Sequence, residues 1–204
     1  LGGKSPNIVF DDADLTNAAN GVITGIFSAG GQTCMAGSRL LLQESIHDEF
    51  VDRLLSITKR AKLGDPRAPD VQVGPVATRP QFEKVMEYIG IAKAEGATCL
   101  TGGNARTGPG FGCGQFVEPT IFTDVKNSMR IAQEEVFGPV LSVMKFRDED
   151  EAIAIGNDIR FGLAAGVWTQ SLHRAMKMSD KLKAGTVWVN NYRSTSFTTP
   201  FGGF

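Results

Sequence analysis

Short apolar runs alternate along this chain with longer stretches whose apolar residues recur at helical spacing, and this alternation limits the fold more than any other feature. A strand buried on both faces needs a brief unbroken apolar run, and parallel neighbours need a crossover, usually a helix, between two such runs. Asn7 to Phe10 reads as a first strand. Asp11, Asp12 and Asp14 then supply capping and dipole-compatible charge for a helix over Leu15 to Phe27, in which Ala18, Val22 and Phe27 can face a core. Gly30-Gly31 ends that helix, and Leu40-Leu41-Leu42 follows as a strand. Helical spacing returns from Ile46 to Ala61 through Phe50, Leu54 and Ile57, and from Arg79 to Glu95 through Phe82, Val85, Met86, Ile89 and Ala92. Val140 to Phe146, Ala164 to Thr169 and Thr186 to Asn190 read as strands, separated by helices over Asp148 to Asn157 and Ser171 to Lys183. The pattern predicts an α/β fold, a mostly parallel sheet flanked by helices, with two right-handed strand–helix–strand crossovers near its end.

Composition narrows the functional classes. A chain of 204 residues with 42% hydrophobic residues can bury one sizeable core and reads as one domain. Its net charge of −1, with acidic and basic residues interspersed, argues against a nucleic-acid partner. No run of about eighteen apolar residues and no opening signal-peptide pattern is present, so no membrane partner is expected and a cytoplasmic location is the default. Cys34, Cys99 and Cys113 are widely spaced, with only His47 and His173 as companions, which makes a zinc site or a disulfide framework improbable; no metal is expected. Cys99 reads as a packed core residue and Cys113 as an incidental loop thiol. Gly102 to Gly114 reads as a surface loop, because it lacks the lysine and Ser/Thr ending of a phosphate-binding loop.

Cys34 is the candidate for chemistry. It stands in Gly30-Gly31-Gln32-Thr33-Cys34-Met35-Ala36-Gly37-Ser38-Arg39, just past a helix end and just before a strand. Small neighbours on both sides let a substrate carbonyl and backbone N–H donors approach the sulfur, and a thiol is a useful nucleophile where its surroundings favour the thiolate. The bland alternative is a small buried hydrophobe, the commoner fate of a lone cysteine. The acidic pair Glu134-Glu135 carries a similar choice. A carboxylate can accept two hydrogen bonds from the paired hydroxyls of a ribose, or both residues can be solvated loop charges.

Four segments together resemble the aldehyde dehydrogenase superfamily, in that family's order and framing the whole chain. They are Leu1-Gly2-Gly3-Lys4-Ser5-Pro6, Gly31-Gln32-Thr33-Cys34 with Ala36-Gly37-Ser38-Arg39, Glu134-Glu135-Val136-Phe137-Gly138-Pro139-Val140, and Pro200-Phe201-Gly202-Gly203-Phe204. The resemblance implies the Rossmann-like catalytic domain of an NAD- or NADP-dependent enzyme that oxidises an aldehyde to a carboxylic acid through a cysteine thiohemiacetal and thioester. It makes Cys34 the nucleophile, Glu135 and Phe137 contacts of the nicotinamide ribose, Leu1 and Gly2 contacts along the nicotinamide, and Phe201 an aromatic wall at the substrate mouth. Lys4 is expected to be structural, and Arg193 is at most an anchor for an acidic substrate. The resemblance also implies a fragment cut at both ends. The family's general-base glutamate stands immediately before Leu1, and its dinucleotide-binding half, with an oxyanion-hole asparagine, lies upstream. Two alternatives accompany this reading: a relative that passes the thioester to coenzyme A, and an inactive folding or association fragment of an enzyme that works as a homodimer or tetramer.

Overall fold

The computed structural model describes residues 2–112 and 114–204. Strand β1 (Pro6–Val9) leads through helix α1 (Leu15–Phe27) to β2 (Arg39–Gln43) and α2 (His47–Arg60). Helix α3 (Arg79–Ala94) precedes the short strands β3 (Thr98–Thr101), β4 (Ala105–Arg106), β5 (Phe116–Val117) and β6 (Thr120–Thr123). A single turn, α4 (Arg130–Gln133), opens the alternating end of the chain: β7 (Val140–Phe146), α5 (Glu149–Asn157), β8 (Ala164–Trp168), α6 (Leu172–Lys181) and β9 (Thr186–Val189).

Seven strands form one sheet in the order β3-β6-β7-β2-β1-β8-β9. Every neighbouring pair is parallel except β3 with β6. The central strands are buried along almost their whole length, as the unbroken apolar runs require. On one face Leu40, Leu42 and Val143 meet Val22 and Ile26 of α1 and Phe50 and Leu54 of α2. On the other Ile8, Leu41 and Met144 meet Val85 and Ile89 of α3 and Met178 of α6. Each such side chain contributes roughly 1.5–3 kcal/mol by leaving water. Helix α1 starts where the acidic run puts it: Asp14 Oδ1 accepts from the N–H groups of Thr16 and Asn17, both at 3.0 Å. A cap of this kind is worth about 1 kcal/mol.

The structure adds elements that the periodicity does not announce. Strands β3 and β6 and the turn α4 are too short to display a period, and β4, inside the segment read as a loop, pairs with β5 just beyond it as a separate two-stranded ribbon. Cys99 is half-buried against the core of the α3 face, and Cys113 lies outside the described residues. Among the described residues no helix is long and apolar enough to cross a membrane, and no three metal-ligating side chains cluster.

Parallel pairing has one consequence for function. The segments that precede β1, β2, β7, β8 and β9 all emerge along the amino-terminal edge of the sheet. Residues far apart in sequence, among them Gly3, Cys34, Glu135 and Gly162, are thereby gathered at one edge.

Candidate active site

Cys34 lies on a tightly wound connection between α1 and β2. After Phe27 the chain makes a short 3-10 segment, Ser28–Gly31, in which Ala29, Gly30 and Gly31 take positive φ values of 54°, 61° and 70°. Gly31 is required there twice over. A side chain at its φ would be strained, and a Cβ would stand 2.1 Å from the Gly138 carbonyl oxygen. The turn is then tied down by Ala36 N–H donating to the Thr33 carbonyl at 3.0 Å and Gly37 N–H donating to the Gly25 carbonyl of α1 at 3.2 Å. Gln32 fastens its flank, accepting the Ala77 N–H at 2.9 Å. Cys34 itself is half-buried and free of any disulfide.

The segment before β1 runs directly over this turn. A Cβ on Gly3 would fall 2.0 Å from the Cys34 carbonyl oxygen, so only glycine permits the approach. The same residue donates its N–H to Glu135 Oε1 at 2.9 Å, across 132 residues of sequence. A Cβ on Gly2 would stand 2.8 Å from Glu135 Oε2 and 3.2 Å from Phe161 Cε1. Gly2, Gly3, Cys34 and Glu135 are therefore brought together, three of the four sequence-predicted segments at one place.

The acidic pair divides by partner. Glu134 is held by Arg130 at 2.9 Å and by the Tyr88 hydroxyl, which together draw its carboxyl down to about 2. It belongs to the scaffold of α3 and α4, whereas Glu135 turns to the Gly2–Gly3 segment. Phe137 follows at φ 57°, an uncommon backbone for a bulky side chain. Gln81 of α3 pins that strained turn by donating to the Val136 and Phe137 carbonyls at 2.8 and 2.9 Å.

Phe201 stands apart from this group, 43% exposed on the segment after β9. Its neighbours do reach the same edge: Gly202 lies against Gly185, and the Phe204 ring covers Gly162. Leu1 lies outside the described residues. Arg193 is committed to the end of α1, where its guanidinium donates to the Thr24 and Ser28 carbonyls at 3.4 and 3.3 Å.

Two features escape a reading of the sequence alone. Lys4 is fully buried with its ammonium unpaired among the described residues, and burial, reinforced by the nearby Arg39 charge against the pull of Glu135, lowers it to about 7. Arg39 spends its guanidinium on carbonyls, of Lys4 at 2.9 Å, Ile155 at 3.0 Å and Gly156 at 2.8 Å, and so braces the start of β1. Phe161, beside Gly2, carries no motif that marks it.

Comparison with known proteins supplies the class. The aldehyde dehydrogenase family model matches residues 1–204, and the chain belongs to that family. All of the chain aligns with a betaine aldehyde dehydrogenase of Mesorhizobium japonicum at 53% identity, covering 42% of that protein. An aldehyde dehydrogenase of Emericella nidulans aligns at 52% identity over the whole chain and 40% of its own length. The betaine aldehyde dehydrogenase of Staphylococcus aureus, solved with NAD+, superimposes with a TM-score of 0.98 at 44% identity, over all of this chain and 40% of that one. The chain thus spans about two-fifths of the length of the relatives it matches.

Proposed function

We propose that this chain is the catalytic-domain portion of an NAD-dependent aldehyde dehydrogenase, with Cys34 as nucleophile and Glu135 as a holder of the nicotinamide ribose. The observation that carries the reading is the double contact of Gly3, which lies on the Cys34 carbonyl and donates to Glu135. One backbone segment thereby sets the distance between a thiol and a carboxylate that no local sequence rule connects.

The residues present fit the cofactor. Gly2 leaves open a strip that a Cβ would close against Glu135 and Phe161, and Glu135 Oε2 faces that strip. A flat ring and its ribose can lie along such backbone, with the carboxylate accepting from ribose hydroxyls. NAD, when bound, supplies the hydride acceptor. The S. aureus relative and an indole-3-acetaldehyde dehydrogenase at 46% identity were both solved with NAD+, which supports NAD as the cofactor here.

The chemistry of the chain's own groups follows. Cys34 Sγ, as thiolate, adds to the aldehyde carbon, and the carbonyl pair becomes an oxyanion. The Cys34 N–H, which meets no acceptor among the described residues, is positioned to donate to that oxyanion. Departure of hydride from the carbon leaves an acyl thioester on Cys34, and water cleaves it to a carboxylate and the free thiol. Phe137 and Phe201 serve the ribose and the substrate mouth respectively in this reading, and Leu1, outside the described residues, is assigned to the nicotinamide by the family resemblance alone. Names among the relatives range from betaine aldehyde to indole-3-acetaldehyde, which supports an aldehyde as the substrate class.

The test uses the full natural polypeptide that contains these residues. Cys34→Ala is expected to lower aldehyde-dependent NADH formation by at least about a thousandfold while NAD+ still binds. A variant that keeps its rate would overturn the assignment.

A further inference from the structure

The segment after β9 does more than carry the chain toward Phe201. Beyond β9 the backbone folds back over the sheet and drives Tyr192 between the sheet and α1. The slot that receives it is cut by three glycines from three different elements. A Cβ would stand 2.8 Å from the ring on Gly25 of α1, 2.9 Å on Gly37 of the nucleophile connection, and 2.5 Å on Gly166 of β8. Trp188 closes the slot with its ring centroid 5.0 Å from that of Tyr192. At the bottom of the slot Tyr192 Oη donates to the Met35 carbonyl at 3.1 Å, one residue past Cys34.

We propose that Tyr192 is a positioning residue for the nucleophile, fixing the Cys34 turn through the Met35 carbonyl and linking that turn to the segment that leads to the substrate mouth. The inference rests on the reading of Cys34 given above. Its neighbours serve the same end. Arg193 grips the last carbonyls of α1, and Trp188 Nε1 donates to the Ser194 carbonyl at 2.7 Å, so the segment is locked on both sides of Tyr192. Past Cys34 the turn is tied outward by Gly37 N–H on α1 and by Met35 O on Tyr192. Removing the second leaves the Met35–Ala36 peptide held only from within the turn, by Ala36 N–H on the Thr33 carbonyl. Burial pushes the phenol well above its ordinary value, so the hydroxyl stays a donor at every working pH.

The glycine at Gly37 acquires a reason here: it makes room for the tyrosine that holds the turn. A displaced nucleophile costs rate rather than cofactor affinity, because misplacement of reacting atoms by about 1 Å can lower rates a hundredfold. The experiment compares Tyr192→Phe with Cys34→Ser in the full natural polypeptide. Tyr192→Phe keeps the ring in its slot and loses only the donor. The expected result is kcat/KM for aldehyde at least tenfold lower, with Kd for NAD+ within twofold and thermal stability close to the parent. Gly37→Ala, which presses on the same ring from the turn side, should give the same kinetic split and serves if Tyr192→Phe folds poorly. A kcat/KM within twofold of the parent in both variants, or a fall that only matches the unfolded fraction, overturns the proposal. If Cys34→Ser retains full rate, the underlying reading fails as well; if it is inactive while Tyr192→Phe is unaffected, the positioning role alone fails.

Discussion

The two edges of the sheet are built by opposite means. At the amino-terminal edge, backbone meets backbone: Gly3 lies on Cys34, Gly31 on Gly138, and Gly185 on Gly202, with little room for side chains. At the carboxyl-terminal edge, charged side chains close the surface. Arg174 bridges Asp12 at 2.7 Å and Glu149 at 3.0 Å while lying over the Phe10 ring, and Lys177 bridges Glu149 and Asp150. Doubly wound sheets usually bind ligands at their carboxyl ends, and here that edge is occupied by its own ion pairs. Positive φ occurs at both edges, at Ala29, Gly30, Gly31 and Phe137 on the amino side and at Asp124 and Asn190 on the carboxyl side. What separates the edges is close approach of backbone to backbone, which gathers where the chemistry is proposed, against side-chain ion pairing on the other side.

The sharpest way to break this comparison is Gly31→Ala. Its Cβ meets the Gly138 carbonyl carbon at 2.4 Å and Pro139 N at 2.9 Å, all backbone that cannot rotate away, at a φ of 70°. Such overpacking with backbone strain is expected to cost about 4–5 kcal/mol and to drive the Cys34 turn from the Phe137 turn. Chemical denaturation of the variant reads the loss directly. A cost below about 1 kcal/mol would mean that the amino edge is not the rigid edge.

How much of this was legible in the sequence depends on range. The bounds of α1 are those its caps and periodicity predict, and β7 is likewise recovered residue for residue. Strands β3 and β6 escape because each offers only two apolar residues between threonines, too few to make a run; β6 is buried through its pairing with β7, a contact set by topology. Among the site residues, Cys34 and Glu135 stand out by type and motif, but their meeting through Gly3 spans most of the chain, and only the family resemblance joined them beforehand. In sequence Asn190, Asn191 and Tyr192 stand together just past the end of β9. The structure separates them. Asn190 bonds both Thr169 N–H and Thr169 O at the carboxyl edge, at 3.0 and 2.8 Å, whereas Tyr192 turns back beneath α1. The only signal for that return is the scatter of glycines at Gly25, Gly37 and Gly166, which has meaning once the three-dimensional path is known.

A second prediction sharpens the comparison by pH. Lys4 is lowered from 10.5 to about 7 chiefly because its ammonium is buried, with no hydrogen-bond partner among the described residues. Between those two values the unfolded chain holds a proton that the folded chain lacks, so stability rises with pH across that window; below about 7 the full penalty applies. Lys4→Met preserves the stem's packing and removes the charge. It should stabilise the fold by on the order of 3 kcal/mol near pH 6, with the gain shrinking toward zero as pH climbs past the ordinary lysine range. Urea titrations at two pH values test the slope. A gain that does not vary with pH would show that Lys4 keeps its proton in the folded protein as it does in the unfolded chain.

The carboxyl edge should yield the smallest effects, and Arg174→Met measures them. The arginine side chain is 21% exposed and its partners 31% and 27%, so its pairs are partly screened and the expected cost is about 1–2 kcal/mol. Methionine retains contact with Phe10 while the charge is lost, which separates packing from pairing. Acid gives the second reading. Lys177 first, then Arg174, hold the Glu149 carboxyl below its ordinary value, so that pairing stabilises the fold above about the usual carboxylate range and fades as pH falls through the lowered value. The gap between parent and Arg174→Met should therefore narrow as the solution is acidified below pH 4.5. Aldehyde oxidation by the folded variant should stay within twofold of the parent, because the ion pairs lie across the sheet from Cys34. A tenfold loss of rate with little loss of stability would join the two edges functionally, and the division of labour between them would have to be redrawn.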